Sequence, residues 1–149
     1  MKSTFATLQR LIVLFVFTLT ATLGFAQQNA KEPRLILKGY DPVAYFTEAR
    51  PVQGIAKYQH DWDGGRYHFS SAANRDKFMS DPDRYAPQFN GYCTGSMASN
   101  VRNEAHPEGW IISEGRLYVF RQAKFREEAL KDPQYLAMRI PKAKENWKQ

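Results

Sequence analysis

Alternating aromatic and polar residues predict two β-hairpins. From Tyr58 to Ser70 aromatic side chains recur at every second position, and Asp63-Gly64-Gly65 interrupts them with residues that tolerate positive φ. A second hairpin is predicted to pair residues 110–113 with residues 117–120 around the turn Glu114-Gly115. Both segments therefore indicate antiparallel strands joined by tight turns.

The loop of the first hairpin decides which side chains face each other. With Gly64-Gly65 as the two-residue loop, Trp62 faces Tyr67 and Asp61 faces His68 on the opposite side. We therefore expect the Asp61 carboxylate to lie beside the His68 imidazole.

Capping signals predict helices between and after the hairpins. Asp41-Pro42 and Asp81-Pro82 each place a capping carboxylate before a proline, which is typical of a helix start. Ser70 or Ser71 caps a further helix that reaches Met79. A short apolar run at residues 35–37 predicts an edge strand, residues 92–108 predict a loop, and residues 122–131 and 133 onward predict two more helices.

A hydrophobic stripe marks the last helix. Leu136, Ile140, Ala143 and Trp147 recur at helical spacing, and Pro141 predicts a kink or a break among them. We recognise no internal repeat. The elements together predict a small single α+β domain with two β-hairpins, several short helices and C-terminal helices packed on the sheet.

The first 26 residues have the pattern of a secretory signal peptide. Lys2 and Arg10 precede a 15-residue uncharged run, and Gly24-Phe25-Ala26 follows the small-x-small cleavage pattern. The run is shorter than the roughly 20 residues of a spanning helix. We therefore expect a periplasmic or secreted protein with no stable membrane insertion after cleavage, and an uncleaved anchor remains the alternative.

Composition changes the picture in two respects. Without residues 1–26 the formal net charge is +4, and with export this argues against a nucleic-acid partner. One cysteine excludes a disulfide framework and a zinc site built on several thiolates. We expect a flexible mature N-terminus at residues 27–34 and one folded domain at residues 35–148.

Three segments resemble the YHS domain family, in its secreted bacterial branch. They are GYDPVAYF at residues 39–46, YHFSSAANRDKFMSDPDRYAP at residues 67–87 and GYC at residues 91–93. The resemblance extends over roughly residues 35–148. It implies a small metal-binding module.

The same resemblance implies that the metal site of the family has been lost. Family members bind metal through cysteines, and the matching positions here hold Ala44, Ser70 and Asn74. None of these side chains is a thiolate, which a soft-metal site of that kind requires. The resemblance thus supports the fold more directly than the metal function.

Cys93 is the candidate for any chemistry that needs a thiol. A set of Cys93, Met97 and His68 would suit copper(I), and we expect a non-enzymatic module that handles copper or another soft metal. Two alternatives stay open for Cys93: a small buried core residue, or the nucleophile of a redox protein or enzyme.

Aromatic residues supply the remaining hypotheses. Tyr67, Tyr92 and His60 are candidates for a pocket that holds a small organic ligand, and an aromatic face could bind an envelope protein partner. The sequence has no GxSxG, phosphate-binding glycine loop, HExxH or CxxC motif. An enzyme is therefore the less favoured class.

Overall fold

Two small sheets carry the fold of residues 32–148, the part of the chain that the computed structural model describes. The first sheet has the order β1-β3-β2, with β1 parallel and β2 antiparallel to β3, and the second is the antiparallel pair β4-β5. The strands are β1 Arg34–Leu35, β2 Ile55–Trp62, β3 Gly65–Phe69, β4 Trp110–Ser113 and β5 Arg116–Val119. The predicted α+β class is confirmed, and the predicted signal peptide lies outside the described residues.

Short helices surround the sheets. They are α1 Ala44–Thr47, α2 Ala72–Ser80, α3 Pro82–Tyr85, α4 Thr94–Met97, α5 Lys124–Lys131 and α6 Gln134–Trp147. Two predicted caps are confirmed, because Ser71 Oγ accepts the Asn74 N–H at 3.1 Å and Asp81 Oδ1 accepts the Arg84 N–H at 3.2 Å. The predicted cap at Asp41 is wrong, because α1 begins at Ala44 with Val43 as its N-cap.

The structure corrects one helical expectation and excludes one of two alternatives for another. Residues 94–97 form α4 inside the segment predicted to be a loop, and α6 continues through Pro141 without a break. The proline is exposed, so the missing N–H and the freed carbonyl lie at the solvent side of the helix.

The register of the first hairpin also differs from the prediction. The loop is Asp63-Gly64, both with positive φ (46° and 70°), so Asp61 pairs with Arg66 rather than with His68. Gly65 belongs to β3, because a Cβ there would lie 2.6 Å from the side chain of Ile36. The register therefore follows from close packing against residue 36, a contact that local turn signals do not contain.

The shifted register creates an ion pair on the outer face of the hairpin. Arg66 Nε donates to Asp61 Oδ1 at 2.9 Å and Arg66 Nη2 donates to Asp61 Oδ2 at 3.0 Å. These hydrogen bonds hold the pKa of the Asp61 carboxyl below its usual range. His68 instead pairs with Gln59 across the ladder.

Phe78 of α2 closes the core over the inner face of this hairpin. Its ring lies 4.7 Å from the ring centroid of Tyr67, 5.2 Å from that of Phe69 and 6.0 Å from that of Trp62. His60 contributes a fourth ring at 6.2 Å. The shift of two residues leaves these side chains on the predicted face, because side chains alternate with a period of two.

The backbone reveals an internal repeat that sequence reasoning missed. Residues 37–38 and residues 89–90 both adopt left-handed conformations, with φ between 50° and 56°. Each pair precedes a glycine with positive φ, Gly39 at 82° and Gly91 at 76°. The same unusual left-handed turn is therefore followed by a Gly-Tyr dipeptide at two places in the chain.

Hydrogen bonds continue the correspondence. The Asp41 N–H donates to the Val52 carbonyl at 2.9 Å, and the Cys93 N–H donates to the Asn103 carbonyl at 2.8 Å. A short helix, a hairpin and two further helices follow in both halves, in the same order. We call residues 36–85 the first repeat and residues 88–136 the second repeat.

Identical residues recur at a nearly constant spacing, 52 positions at the turn and 51 positions afterwards. The pairs include Gly39/Gly91, Tyr40/Tyr92, Gly64/Gly115, Tyr67/Tyr118, Phe69/Phe120 and Asp81-Pro82/Asp132-Pro133. This spacing assigns counterparts to the residues of the two repeats, apart from one position where the spacing changes. Both repeats lie in the same compact unit, which begins at Pro33.

Candidate functional site

The three predicted copper ligands lie in three different surroundings. Cys93 is 3% exposed and packs in the cluster that contains Phe120, whereas Met97 is fully buried beside Tyr118. His68 is half-buried on β3, with Nδ1 beside Gly39. Within residues 32–148, no three His, Cys, Asp or Glu side chains are grouped in a way that could hold a metal ion.

His68 also has little tendency to be charged. Burial lowers the pKa of its imidazole, and the positive charge of Arg66 lowers that pKa further. The ring is therefore neutral at neutral pH. No carboxylate orients it in the way expected from the sequence, because Asp61 is engaged with Arg66.

The positions that the resemblance assigns to cysteine ligands form a hydrogen-bonded network instead. Asp41 is fully buried, and its Oδ2 accepts the Ser70 N–H at 2.8 Å, the Ser70 hydroxyl at 2.6 Å and the Asn74 amide at 2.7 Å. Its Oδ1 accepts the Val43 N–H at 2.9 Å. Ala44 offers no ligand atom. This donor set does not fit a soft metal, and its carboxylate is fully engaged within the protein.

The three residues predicted to form a tyrosine pocket do not all come together. Tyr67 of β3 is 1% exposed and pairs with His60 of β2, and both rings pack against Phe78. Tyr92 lies in the second repeat, where Arg34 stacks over its ring at 4.2 Å. Of the three, only Tyr67 lines a cavity of appreciable size among the described residues.

The internal repeat identifies the counterpart of the Asp41 network. At the spacing of the repeats, Cys93 corresponds to Asp41, Arg121 to Ser70, and Phe125 to Asn74. None of the hydrogen bonds that hold the Asp41 carboxylate can form with these side chains. In place of a closed network, all three counterparts line an open cavity.

We call this space the thiol cavity, and its volume is about 290 Å³. Its polar walls are cationic or neutral, with no carboxylate among the described residues that line it. The residues with polar or reactive side chains are Cys93, Ser96, Ser99, Asn103, Arg121, Tyr135 and Arg139. The cavity thus carries two formal positive charges and no compensating negative charge of its own.

Tyr135 supplies a hydroxyl without a protein partner. The residue is 7% exposed, and no described group donates to or accepts from its hydroxyl. A Cβ at Gly95 would lie 3.8 Å from Tyr135 Oη and 3.9 Å from Cys93 Sγ, so both atoms border the same space. Sequence reasoning missed this residue.

The charge state of Tyr135 suits a hydrogen-bond donor. Burial raises the pKa of its hydroxyl, Glu128 and Cys93 raise it further, and Arg139 and Arg121 lower it. The net shift is upward, so the phenol keeps its proton at neutral pH. An anion in the cavity would receive this hydrogen bond.

Arg139 is held in place by the same tyrosine. Its guanidinium carbon lies 3.7 Å from the centroid of the Tyr135 ring, and its Nη1 donates to the Tyr135 carbonyl at 3.1 Å. Neither Arg121 nor Arg139 forms an ion pair with any carboxylate of residues 32–148. Two cations without counter-ions therefore border a small concave site.

The thiol cavity has a wall that consists mainly of hydrogen-bond donors. No histidine lines it in the described part of the chain, so Cys93 has no imidazole to accept its proton. The arginines, the Tyr135 hydroxyl and the serine hydroxyls are hydrogen-bond donors. Such a wall recognises an anion.

Comparison with known proteins identifies one family. Residues 43–89 match the model of the YHS domain, so the chain contains a YHS domain over this segment, which includes most of the first repeat. No curated protein and no solved structure matches the chain. No helix of residues 32–148 is long and apolar enough to span a membrane.

Proposed function

With a YHS domain at residues 43–89 as the premise, we propose that this chain is an exported, non-enzymatic binding module. Its ligand is a small carboxylate, held in the thiol cavity of the second repeat. The single observation that carries the proposal is the pair of unpaired arginines, Arg121 and Arg139, around a cavity without acidic residues among the described residues that line it.

The first repeat supplies the physical argument for a carboxylate. There the buried Asp41 carboxylate fills the site and accepts four hydrogen bonds from backbone and side-chain donors. In the second repeat Cys93 occupies that position and brings no negative charge, while Arg121 replaces a serine. The second repeat therefore has donors for a carboxylate and lacks the carboxylate itself, which a ligand would provide.

The size of the cavity limits the ligand. A volume of about 290 Å³ lies just below the usual range of ligand pockets, which span roughly 300–1,000 Å³. The ring of Phe125 and the edge of Tyr135 provide an apolar wall. A monocarboxylate with a short or aromatic tail fits this combination of charge and surface.

Binding of small acids tests the proposal. Isothermal titration would compare benzoate and propionate with benzamide and propionamide, which have the same shapes but no charge. We expect the acids to bind and the amides to bind at least about tenfold more weakly, since an arginine-carboxylate pair is charge-assisted. Equal binding of acid and amide would contradict the assignment.

Two charge-neutral variants locate the site. Arg121→Gln and Arg139→Gln should each weaken benzoate binding by roughly tenfold, because each removes one of the two cations. Lys142→Gln is the matched control, since Lys142 is an exposed cation on the same helix as Arg139 and does not line the cavity. A loss of the same size in the control would indicate a nonspecific effect of net charge.

Copper binding through Cys93 is the second candidate, favoured by the thiol on the cavity wall. A titration with copper(I) against a competing chelator would compare the wild type with Cys93→Ala and His68→Ala. Affinity that falls only in Cys93→Ala would support a thiol site without His68. Equal affinity in all three proteins would exclude the copper hypothesis.

Export is tested on its own. The mass of the protein recovered outside the cytoplasm should correspond to a chain that begins at Gln27, after cleavage behind Ala26. Recovery of the uncleaved chain in the membrane fraction would support the anchor alternative.

A further inference from the structure

Gly95 of α4 differs from the other glycines of residues 32–148. Four of those adopt a positive φ, in which a Cβ is strained, and at three more an added Cβ would lie 2.5–2.6 Å from a neighbouring atom. The first four are Gly39, Gly64, Gly91 and Gly115, and the other three are Gly54, Gly65 and Gly109. Gly95 has neither feature, because its φ is not positive and its Cβ would meet nothing closer than 3.8 Å. The backbone therefore does not require a glycine at residue 95.

A glycine at this position also weakens the helix. Glycine in a helix is less favourable than alanine, because it loses more conformational freedom on folding. A methyl group at residue 95 would fit, since 3.8 Å is an ordinary van der Waals distance. The stability of the fold alone would thus favour alanine, and the glycine indicates that the space beside it has another use.

The internal repeat shows the same position with a side chain. At the spacing of 52 positions, Gly95 corresponds to Val43. Val43 is fully buried and packs in the hydrophobic core, whereas Gly95 is only partly buried and lines the thiol cavity. The exchange of valine for glycine therefore removes a side chain from the wall of the thiol cavity.

Two chemically different groups border the space beside Gly95. A Cβ at this residue would lie 3.8 Å from Tyr135 Oη and 3.9 Å from Cys93 Sγ. The Tyr135 residue is 7% exposed, and its hydroxyl has no partner within residues 32–148. This hydroxyl remains accessible, unlike that of Tyr67. A ligand group that lies against Gly95 is therefore within reach of a hydrogen-bond donor.

The neighbours of this space select the charged end of the ligand. The Tyr135 hydroxyl donates, and a carboxylate oxygen accepts a stronger hydrogen bond than a neutral group does. Arg139 is stacked on the same ring, with its guanidinium carbon 3.7 Å from the ring centroid. A carboxylate beside Gly95 thus has a hydroxyl donor and a cation close by, whereas an apolar tail there would leave the hydroxyl unpaired.

We propose that Gly95 is a specificity-determining residue of the thiol cavity. The carboxylate of the ligand lies against its Cα, accepts a hydrogen bond from Tyr135 Oη and contacts the Cys93 thiol. A side chain at residue 95 would occupy this position and exclude the carboxylate. The inference rests on the proposed function, because it assigns the part of the thiol cavity that holds the charged end of the ligand.

Gly95→Ala tests the proposal through opposite effects on stability and on binding. The melting temperature should equal that of wild type or exceed it by up to about 5 °C, because alanine is the better helix residue. Benzoate should bind at least about tenfold more weakly in isothermal titration, because the methyl group takes the place of the carboxylate. Benzoate binding equal to that of wild type would overturn the inference. A lower melting temperature would also overturn it, since the glycine would then have a packing role.

Gly64→Ala is the matched control. It adds the same methyl group at a residue with a φ of 70°, where nothing lies within 4 Å of the added Cβ, and Gly64 does not line the thiol cavity. We expect a lower melting temperature and unchanged benzoate binding, which is the reverse of the result for Gly95→Ala. An equal loss of benzoate binding in this control would overturn the inference, because the loss would not depend on the position of the methyl group.

Tyr135→Phe connects the glycine with the hydroxyl. Alone it should weaken benzoate binding by about 5- to 10-fold, because a hydrogen bond to the carboxylate is lost. In the Gly95→Ala protein the same substitution should add a loss of less than about twofold, since the carboxylate no longer reaches the hydroxyl. Two losses that multiply would separate the carboxylate from Gly95 and overturn the inference.

The outcomes distinguish this inference from the proposed function. If Arg121→Gln and Arg139→Gln weaken benzoate binding while Gly95→Ala binds like wild type, the carboxylate function stands and only the position of the carboxylate is wrong. If the wild type binds neither benzoate nor propionate, the proposed function and this inference both fail.

Discussion

Removing the hydroxyl group from Tyr45 and from Tyr67 should have opposite effects on stability. Both side chains are 1% exposed, so the two substitutions by phenylalanine delete the same atom from equally buried positions. Tyr45 Oη donates to the buried Pro107 carbonyl at 3.1 Å, whereas Tyr67 Oη has no partner within residues 32–148. The pair therefore isolates the contribution of one hydrogen bond.

The magnitudes follow from these contacts. Tyr45→Phe should lower the free energy of unfolding by about 1–3 kcal/mol, because it also leaves the Pro107 carbonyl buried and unpaired. Tyr67→Phe should leave the free energy of unfolding unchanged or raise it by up to about 1 kcal/mol, since it removes an unpaired hydroxyl. Urea denaturation of the purified variants, without ligand, measures both values.

One result would refute this reasoning. If Tyr67→Phe lowers the free energy of unfolding as much as Tyr45→Phe does, the Tyr67 hydroxyl has a stabilising partner in the free protein. The Tyr67 hydroxyl would then not be a buried donor without a partner.

Three further substitutions probe the contacts that organise the first repeat. Ser70→Ala should lower the free energy of unfolding by about 1.5–3 kcal/mol, measured in urea, because it removes a 2.6 Å hydrogen bond to the buried Asp41 carboxylate. Asp61→Asn should cost less than about 1 kcal/mol at neutral pH, since its pair with Arg66 is solvent-exposed. The Asp61 pKa is lowered in the folded state, so this difference from wild type should be present above about pH 4 and vanish on further acidification, in melts recorded against pH. Gly54→Ala should lower the free energy of unfolding by about 1–3 kcal/mol, because the added Cβ would lie 2.5 Å from a backbone carbonyl carbon of β3. A melting temperature equal to that of wild type in any of these variants would show that the named contact is not stabilising.

The internal repeat explains why the position of Asp41 is closed and that of Cys93 is open. Each repeat begins with the same turn and positions the next residue, Asp41 or Cys93, under the following helices. The first repeat closes this position with its own carboxylate, and the second leaves it open. The spacing of 51 to 52 residues is present in the sequence, and it pairs Arg121 with Cys93 in the same way that it pairs Ser70 with Asp41.

Local signals in the sequence predicted the second hairpin and most of the helices. Ser71 and Asp81 cap their helices as predicted because a cap is a contact between residues two or three positions apart. The turn at Glu114-Gly115 is also a local feature of the sequence. The structure confirms it, because both residues adopt the positive φ that this type of turn requires. The resemblance to the YHS family could also be recognised from the sequence, because its motifs are contiguous segments.

Only the tertiary structure decided the register of the first hairpin and the membership of the candidate sites. The register depends on Ile36 approaching Gly65, across 29 positions of chain. Arg139 lines the cavity of Cys93 because α6 packs against α4. The two residues are 46 positions apart in the sequence, and no periodic pattern of residues predicts their contact. Sequence patterns report neighbours along the chain, whereas a binding site is made by neighbours in space.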